Sequence, residues 1–192
     1  MAAENDCNSS PTLRRLADLL TLSRALLGLP LLLALGAGLD GLAWWLLVLG
    51  GLSDWADGVL ARRAGGGSVW GARLDPLTDK ILISAPLLVL AARGNLPLWA
   101  VWLLLARELP ISGWRAGQGS GGPASLGGKA KTILQFLSLL LLLWPGGWSL
   151  GTAAFAGGDL TLPAVLHQIG WWLFWPSLLL ALSSAWGYLR KG

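Results

Sequence analysis

Four aspartates, Asp54, Asp57, Asp75 and Asp79, stand close together between two long apolar runs. Asp54 and Asp57 are three apart and share one face of a helix; Asp75 and Asp79, four apart, do the same. If the two helix ends pack together, four carboxylates converge, and the group left alone repels itself and must protonate in part. Divalent cations remove that conflict. Oxygen ligands with no His or Cys nearby select Mg²⁺ or Mn²⁺ over zinc, and two such ions about 3.5 to 4 Å apart are a common device for displacement at phosphorus. The residues between fit a phosphate substrate. Gly58 lets a ligand approach the backbone closely, Arg62 one turn later offers a bidentate donor, Gly65 to Gly67 make a flexible turn, and Gly71 permits close approach before Asp75. Any one of these aspartates also reads as a loop carboxylate that caps a helix and pairs with Arg62, Arg63, Arg73 or Lys80. The full pattern, D-x2-D-G-x2-A-R, eight residues, then G-x3-D-x3-D, is too particular for that account.

The elements that must hold these residues are apolar. Hydrophobic residues make up 54% of the 192 and charged ones only 12%, which excludes an ordinary soluble domain and fits a polytopic membrane protein. Six segments of roughly 20 residues suit membrane spans, near 19–38, 41–60, 79–96, 98–115, 132–149 and 164–188. Six spans put both termini on one side. Of the fourteen Lys and Arg residues, all but Arg93 fall on that side, which the positive-inside rule makes cytoplasmic. Trp44, Trp45, Trp99, Trp144 and Trp148 fall near the outer interface, and Trp55, Trp70, Trp114 and Trp186 near the inner one, as an aromatic belt would. The net charge of +4 lies almost wholly on the cytoplasmic face. It suits anionic headgroups and phosphorylated substrates, whereas the aromatic-basic patches that bind nucleic acid bases are missing. No cleavable signal peptide is recognisable. Residues 1–10 read as a disordered tail, and "PTLRRLADLL" as an interfacial helix or an extension of the first span. The lone Cys7 has no assigned role, and His167 reads as interfacial or hydrogen-bonded. The outer loops look inert, while the inner loops, around 61–78 and 116–131, hold most of the charge and so the expected function.

In these residues the chain resembles the CDP-alcohol phosphotransferases, whose signature has the same spacing and falls on Asp54, Asp57, Gly58, Ala61, Arg62, Gly71, Asp75 and Asp79. The resemblance implies an all-α integral membrane bundle of six transmembrane helices over 11–192, usually dimeric, with a cytoplasm-facing polar active-site cavity in the inner (plasma) membrane. It implies transfer of a phosphatidyl or similar group from a CDP-linked donor to an alcohol, with release of CMP. Asp54, Asp57, Asp75 and Asp79 would bind two Mg²⁺ or Mn²⁺ ions, and Asp79 would also act as general base. Gly58, Ala61 and Arg62 would line the CDP site, with Ser68 near the donor. "ARELPISGWR" and "GGKAKT" resemble one branch of the family, the bacterial phosphatidylglycerophosphate synthases. That branch implies CDP-diacylglycerol as donor, glycerol 3-phosphate as acceptor, and a cationic pocket of Arg107, Arg115, Lys129 and Lys131 for the acceptor phosphate. The same basic residues also suit positive-inside anchors.

Two positions depart from the pattern: Asp18 stands where Asn is usual, and Pro110 where an apolar residue is usual, with a kink expected there. Inositol phosphate and phosphatidylglycerol are the competing acceptors. A membrane prenyltransferase would carry two separated aspartate motifs. A divalent-cation transporter predicts acidic residues deeper in the spans, yet the outer face offers only Asp40 and Asp159.

Overall fold

A computed structural model describes residues 23, 26–63, 69–118, 126–148, 152–155 and 158–189, with side chains described for part of them. Among the described residues six helices follow one another: α1 (Leu26–Gly36), α2 (Asp40–Arg63), α3 (Val69–Ala92), α4 (Leu98–Gln118), α5 (Leu126–Leu142) and α6 (Leu162–Leu189). Their local signals are ordinary. α1 and α3 each end on a glycine with positive φ, Gly38 at 72° and Gly94 at 76°. In each case the following residue bonds back across the last turn, Leu39 to Ala34 and Asn95 to Leu90, the closure that only a left-handed residue allows cheaply. Asp40 sits in the first turn of α2, where a carboxylate faces the positive end of the helix.

The helices alternate in direction. At one end Arg93, just past α3, donates to Asp40 Oδ1 (2.9 Å) and to the Leu35 carbonyl (2.6 Å), tying the α1–α2 turn to the end of α3. At the same end the Trp44 indole donates to the Leu140 carbonyl (2.9 Å), and His167 Nε2 lies 3.3 Å from the Trp144 carbonyl. Trp44, Trp45, Trp144 and Trp148 form an edge-to-face cluster there. The residues singled out for chemistry lie, where they are described, at the opposite end. Leu31, Leu35, Leu47, Leu87, Leu104, Leu139 and Phe174 fill the interior between.

Glycines set the closest helix contacts. A side chain at Gly50 would overlap Leu82 of α3, one at Gly51 would overlap the Phe136 ring of α5, and one at Gly170 would meet the α5 backbone at Leu142 N, 3.0 Å away. Ser138 Oγ donates to the Gly170 carbonyl (2.7 Å) and pins α5 to α6. Large apolar side chains also cover the outside, among them Leu29, Leu49, Trp55, Trp102, Ile133, Trp172 and Leu179. By length and composition Leu162–Ser184 suffices to cross a membrane, and Leu26–Gly36, Lys80–Ala92 and Ala130–Leu142 are shorter apolar helices.

Two expectations change. The supposed inner loops are mostly helix: α2 continues to Arg63, α3 begins at Val69 rather than near 79, α4 reaches Gln118 through Pro110, and α5 begins at Leu126. Hydropathy marks the apolar length of a helix, and these helices extend beyond it with polar residues. The Gly-rich stretch before α6 carries an antiparallel hairpin, β1 (Thr152–Phe155) and β2 (Gly158–Thr161), paired from Thr152 with Thr161 to Phe155 with Gly158. Residues 1–20, Asp18 among them, lie outside the described residues, as does the Gly65 to Gly67 turn.

Candidate active site

The contact of Gly50 with Leu82 sets the register of α2 against the antiparallel α3. Stepping equally along both helices toward their connection brings Asp54 level with Thr78, and Asp57 level with Asp75. Asp79 falls level with Ser53. On a helix, positions 54 and 57 lie on the stripe that holds Gly50, and 75, 78 and 79 on the stripe that holds Leu82. The backbone therefore brings all four aspartate positions to the facing stripes of two helices at one end of the bundle. Asp54 is exposed and engaged by a neighbour; Thr78 is buried. The side chains of Asp57, Asp75, Asp79, Gly58, Ala61 and Arg62 are outside the described residues, although their backbones lie within α2 and α3; Ser68 is outside altogether.

Beside this pair, α3, α4, α5 and α6 build a charged cluster around Glu108, which is only 3% exposed. Lys131 Nζ donates to Glu108 Oε1 at 2.5 Å, Arg107 Nη1 to the same oxygen at 2.6 Å, and Lys80 Nζ lies 2.8 Å from Oε2. Arg107 Nη2 donates to Ser184 Oγ at 2.6 Å. Burying a carboxylate demands such partners, because the desolvation it suffers is offset only by close opposite charge and hydrogen bonds. Ser112 in α4 and Gln135 in α5, about one turn from Glu108 and Lys131, are also buried at this end. The interior is polar here and apolar and aromatic at the other end.

Of the four cations expected to hold an acceptor phosphate, the structure brings Arg107 and Lys131 together. Arg115 and Lys129 lie in α4 and α5, with side chains outside the described residues. Three members of the cluster were not singled out from sequence for this site: Lys80, Glu108 and Ser184. Glu108 did carry a signal, a carboxylate inside an apolar helix, which needs a stated partner. Ser184 carried none, since 77 residues separate it from Arg107. His167 takes the hydrogen-bonded place expected of it.

A CDP-alcohol phosphatidyltransferase family model matches residues 14–183. A Mycobacterium tuberculosis protein described as a probable phosphatidylglycerophosphate synthase is 38% identical over 147 residues, covering 72% of this chain and 70% of its own. A Bacillus subtilis CDP-diacylglycerol–glycerol-3-phosphate 3-phosphatidyltransferase is 33% identical, over 76% and 70%. A Streptomyces coelicolor cardiolipin synthase (CMP-forming) is 40% identical, over 76% and 75%. The match spans nearly the whole chain, so the chain belongs to the CDP-alcohol phosphatidyltransferase family and is a transferase of that class.

Proposed function

We propose that this chain joins the phosphatidyl group of CDP-diacylglycerol to glycerol 3-phosphate, giving phosphatidylglycerophosphate and CMP. The observation that carries the reading is the family's complete aspartate pattern on the facing stripes of α2 and α3. The relatives from M. tuberculosis and B. subtilis, named for this reaction, support the acceptor, as does the convergence of Arg107 and Lys131.

In this reading Asp54, Asp57, Asp75 and Asp79 hold two Mg²⁺ or Mn²⁺ ions, and an all-carboxylate donor set on two facing helix stripes fits such hard cations. Once bound, the ions neutralise the diphosphate and the charge that develops on departing CMP. Asp79 accepts the proton of the acceptor hydroxyl as that oxygen attacks the phosphorus bearing the diacylglycerol; the bond from this phosphorus to the CMP oxygen breaks. Gly58, Ala61 and Arg62 line the CDP site and Ser68 contacts the donor. Arg107, Arg115, Lys129 and Lys131 hold the acceptor phosphate. Residues 11–192 form a six-span bundle in the inner (plasma) membrane, able to pair as a homodimer, with a polar cavity and both termini on the cytoplasmic side. Residues 1–10 are a tail. The apolar outer surface suits a bilayer.

The test is direct: purified protein in lipid, CDP-diacylglycerol, Mg²⁺ and a panel of alcohols, with CMP measured. Release that depends on glycerol 3-phosphate is expected, and release indifferent to it rejects the assignment. The cardiolipin synthase relative favours phosphatidylglycerol as the competing acceptor; the same panel contains it.

A further inference from the structure

Three cations facing one carboxylate leave two positive charges in excess among the described residues of the cluster. Side-chain exposures of 17% for Lys80, 12% for Arg107 and 6% for Lys131 take most of that charge out of water. Like charges gathered in a low dielectric repel strongly, so the cluster is built to receive an anion. Arg107 points the same way. Its Nη1 is held by Glu108 and its Nη2 by Ser184, while its Nε is buried with no hydrogen-bond partner. A buried donor left unsatisfied is costly, and an incoming oxygen would relieve it.

We propose that Glu108 is the positioning and specificity-determining residue of the acceptor subsite: it gathers Lys80, Arg107 and Lys131 into a site with two excess positive charges among the described residues, which selects a phosphomonoester over a phosphodiester. The proposal rests on the acceptor reading above and deepens it. A phosphomonoester carries about −1.5 to −2 charges at neutral pH and matches the excess. A phosphodiester carries one, and leaves a buried cation uncompensated. Glu108 acts through the three cations, because both its oxygens are already engaged by them. Ser184 brings α6 into the subsite by orienting Arg107. Lys80 follows Asp79 directly, so the subsite and the proposed general base share one helical turn.

The experiment uses the full chain in lipid nanodiscs with Mg²⁺, titrating glycerol 3-phosphate at fixed CDP-diacylglycerol and then the reverse. Glu108→Gln is expected to raise the acceptor KM by about tenfold or more while the donor KM stays put, as loss of charge-assisted contacts on one side only requires. Glu108→Asp, which keeps the charge, should recover most of that loss. Ser184→Ala removes no charge and is expected to raise the acceptor KM about threefold. Acceptor KM unchanged in these variants, or acceptor and donor KM rising together, overturns the proposal. If Glu108→Gln does not survive purification, Ser184→Ala decides by the same split. Wild type offered phosphatidylglycerol in place of glycerol 3-phosphate should release little CMP, and vigorous release would overturn the charge selection. Should wild type prefer a different phosphorylated alcohol, the acceptor assignment falls while Glu108 is still judged, by the KM of that alcohol.

Discussion

Asp79 carries the heaviest demand of any single residue, since it is proposed both to ligate metal and to take the acceptor proton. Its replacement by Asn keeps size and removes the base. Turnover in Asp79→Asn is expected to fall about 10³-fold, the scale of general-base catalysis, with the thermal unfolding midpoint close to wild type. A variant that keeps most of its CMP release would remove Asp79 from that role. Metal removal belongs to the same scale. Chelation with EDTA should abolish CMP release, and adding Mg²⁺ or Mn²⁺ should restore it, whereas Zn²⁺ should serve poorly with ligands that are all carboxylate oxygen. Activity that survives exhaustive chelation would contradict the ion pair. The aspartate pattern behind the proposed metal site is legible in residue spacing alone. Glu108 signals in the sequence only that it needs partners; which partners it has, on α3 and α5, no spacing within α4 encodes.

Helix pairs meet where glycine removes the side chain. Gly170→Val would drive two methyl groups toward Leu141 Cβ and the Ser138 carbonyl, 2.9 and 3.0 Å from a bare Cβ. The neighbour on that side is mostly backbone and cannot rotate away, so a stability loss of about 1 to 3 kcal/mol is expected. Gly36→Ala in α1 meets nothing within 4 Å and should be neutral or better by about 0.5 kcal/mol. Thermal unfolding of the two variants side by side checks both; equal midpoints would show that α5 and α6 are not held as closely as described. Arg93 marks the limit of such effects. Its pairing with Asp40 is exposed at both ends, and a surface pair of this kind is worth about 1 kcal/mol or less. Helix identity was readable from apolar length, but helix extent was not. The turns beyond the apolar stretch, such as Val69 to Asp79 in α3, are polar enough to read as loop in the sequence.

For the whole molecule, alternating helices separate two ends of different character. One gathers tryptophans, Arg93 and the hairpin, and the other gathers the aspartates and the Glu108 cluster. If the polar end faces the cytoplasm, a membrane-impermeant thiol reagent applied to the outside of intact cells should leave the native Cys7 unlabelled. It should label Gly147→Cys in a Cys7→Ser background, at an exposed position with open space around it. The reverse pattern would invert the proposed topology. The amino-acid sequence alone determined the apolar segments, their charge asymmetry and the aspartate pattern, because each is written in residue type and local spacing. Only the tertiary structure decided that Lys80, Arg107 and Lys131 surround Glu108, that Ser184 holds Arg107, and that Gly50, Gly51 and Gly170 are contact points. Those facts depend on which helix faces which, and that choice is made by packing between segments distant in the chain.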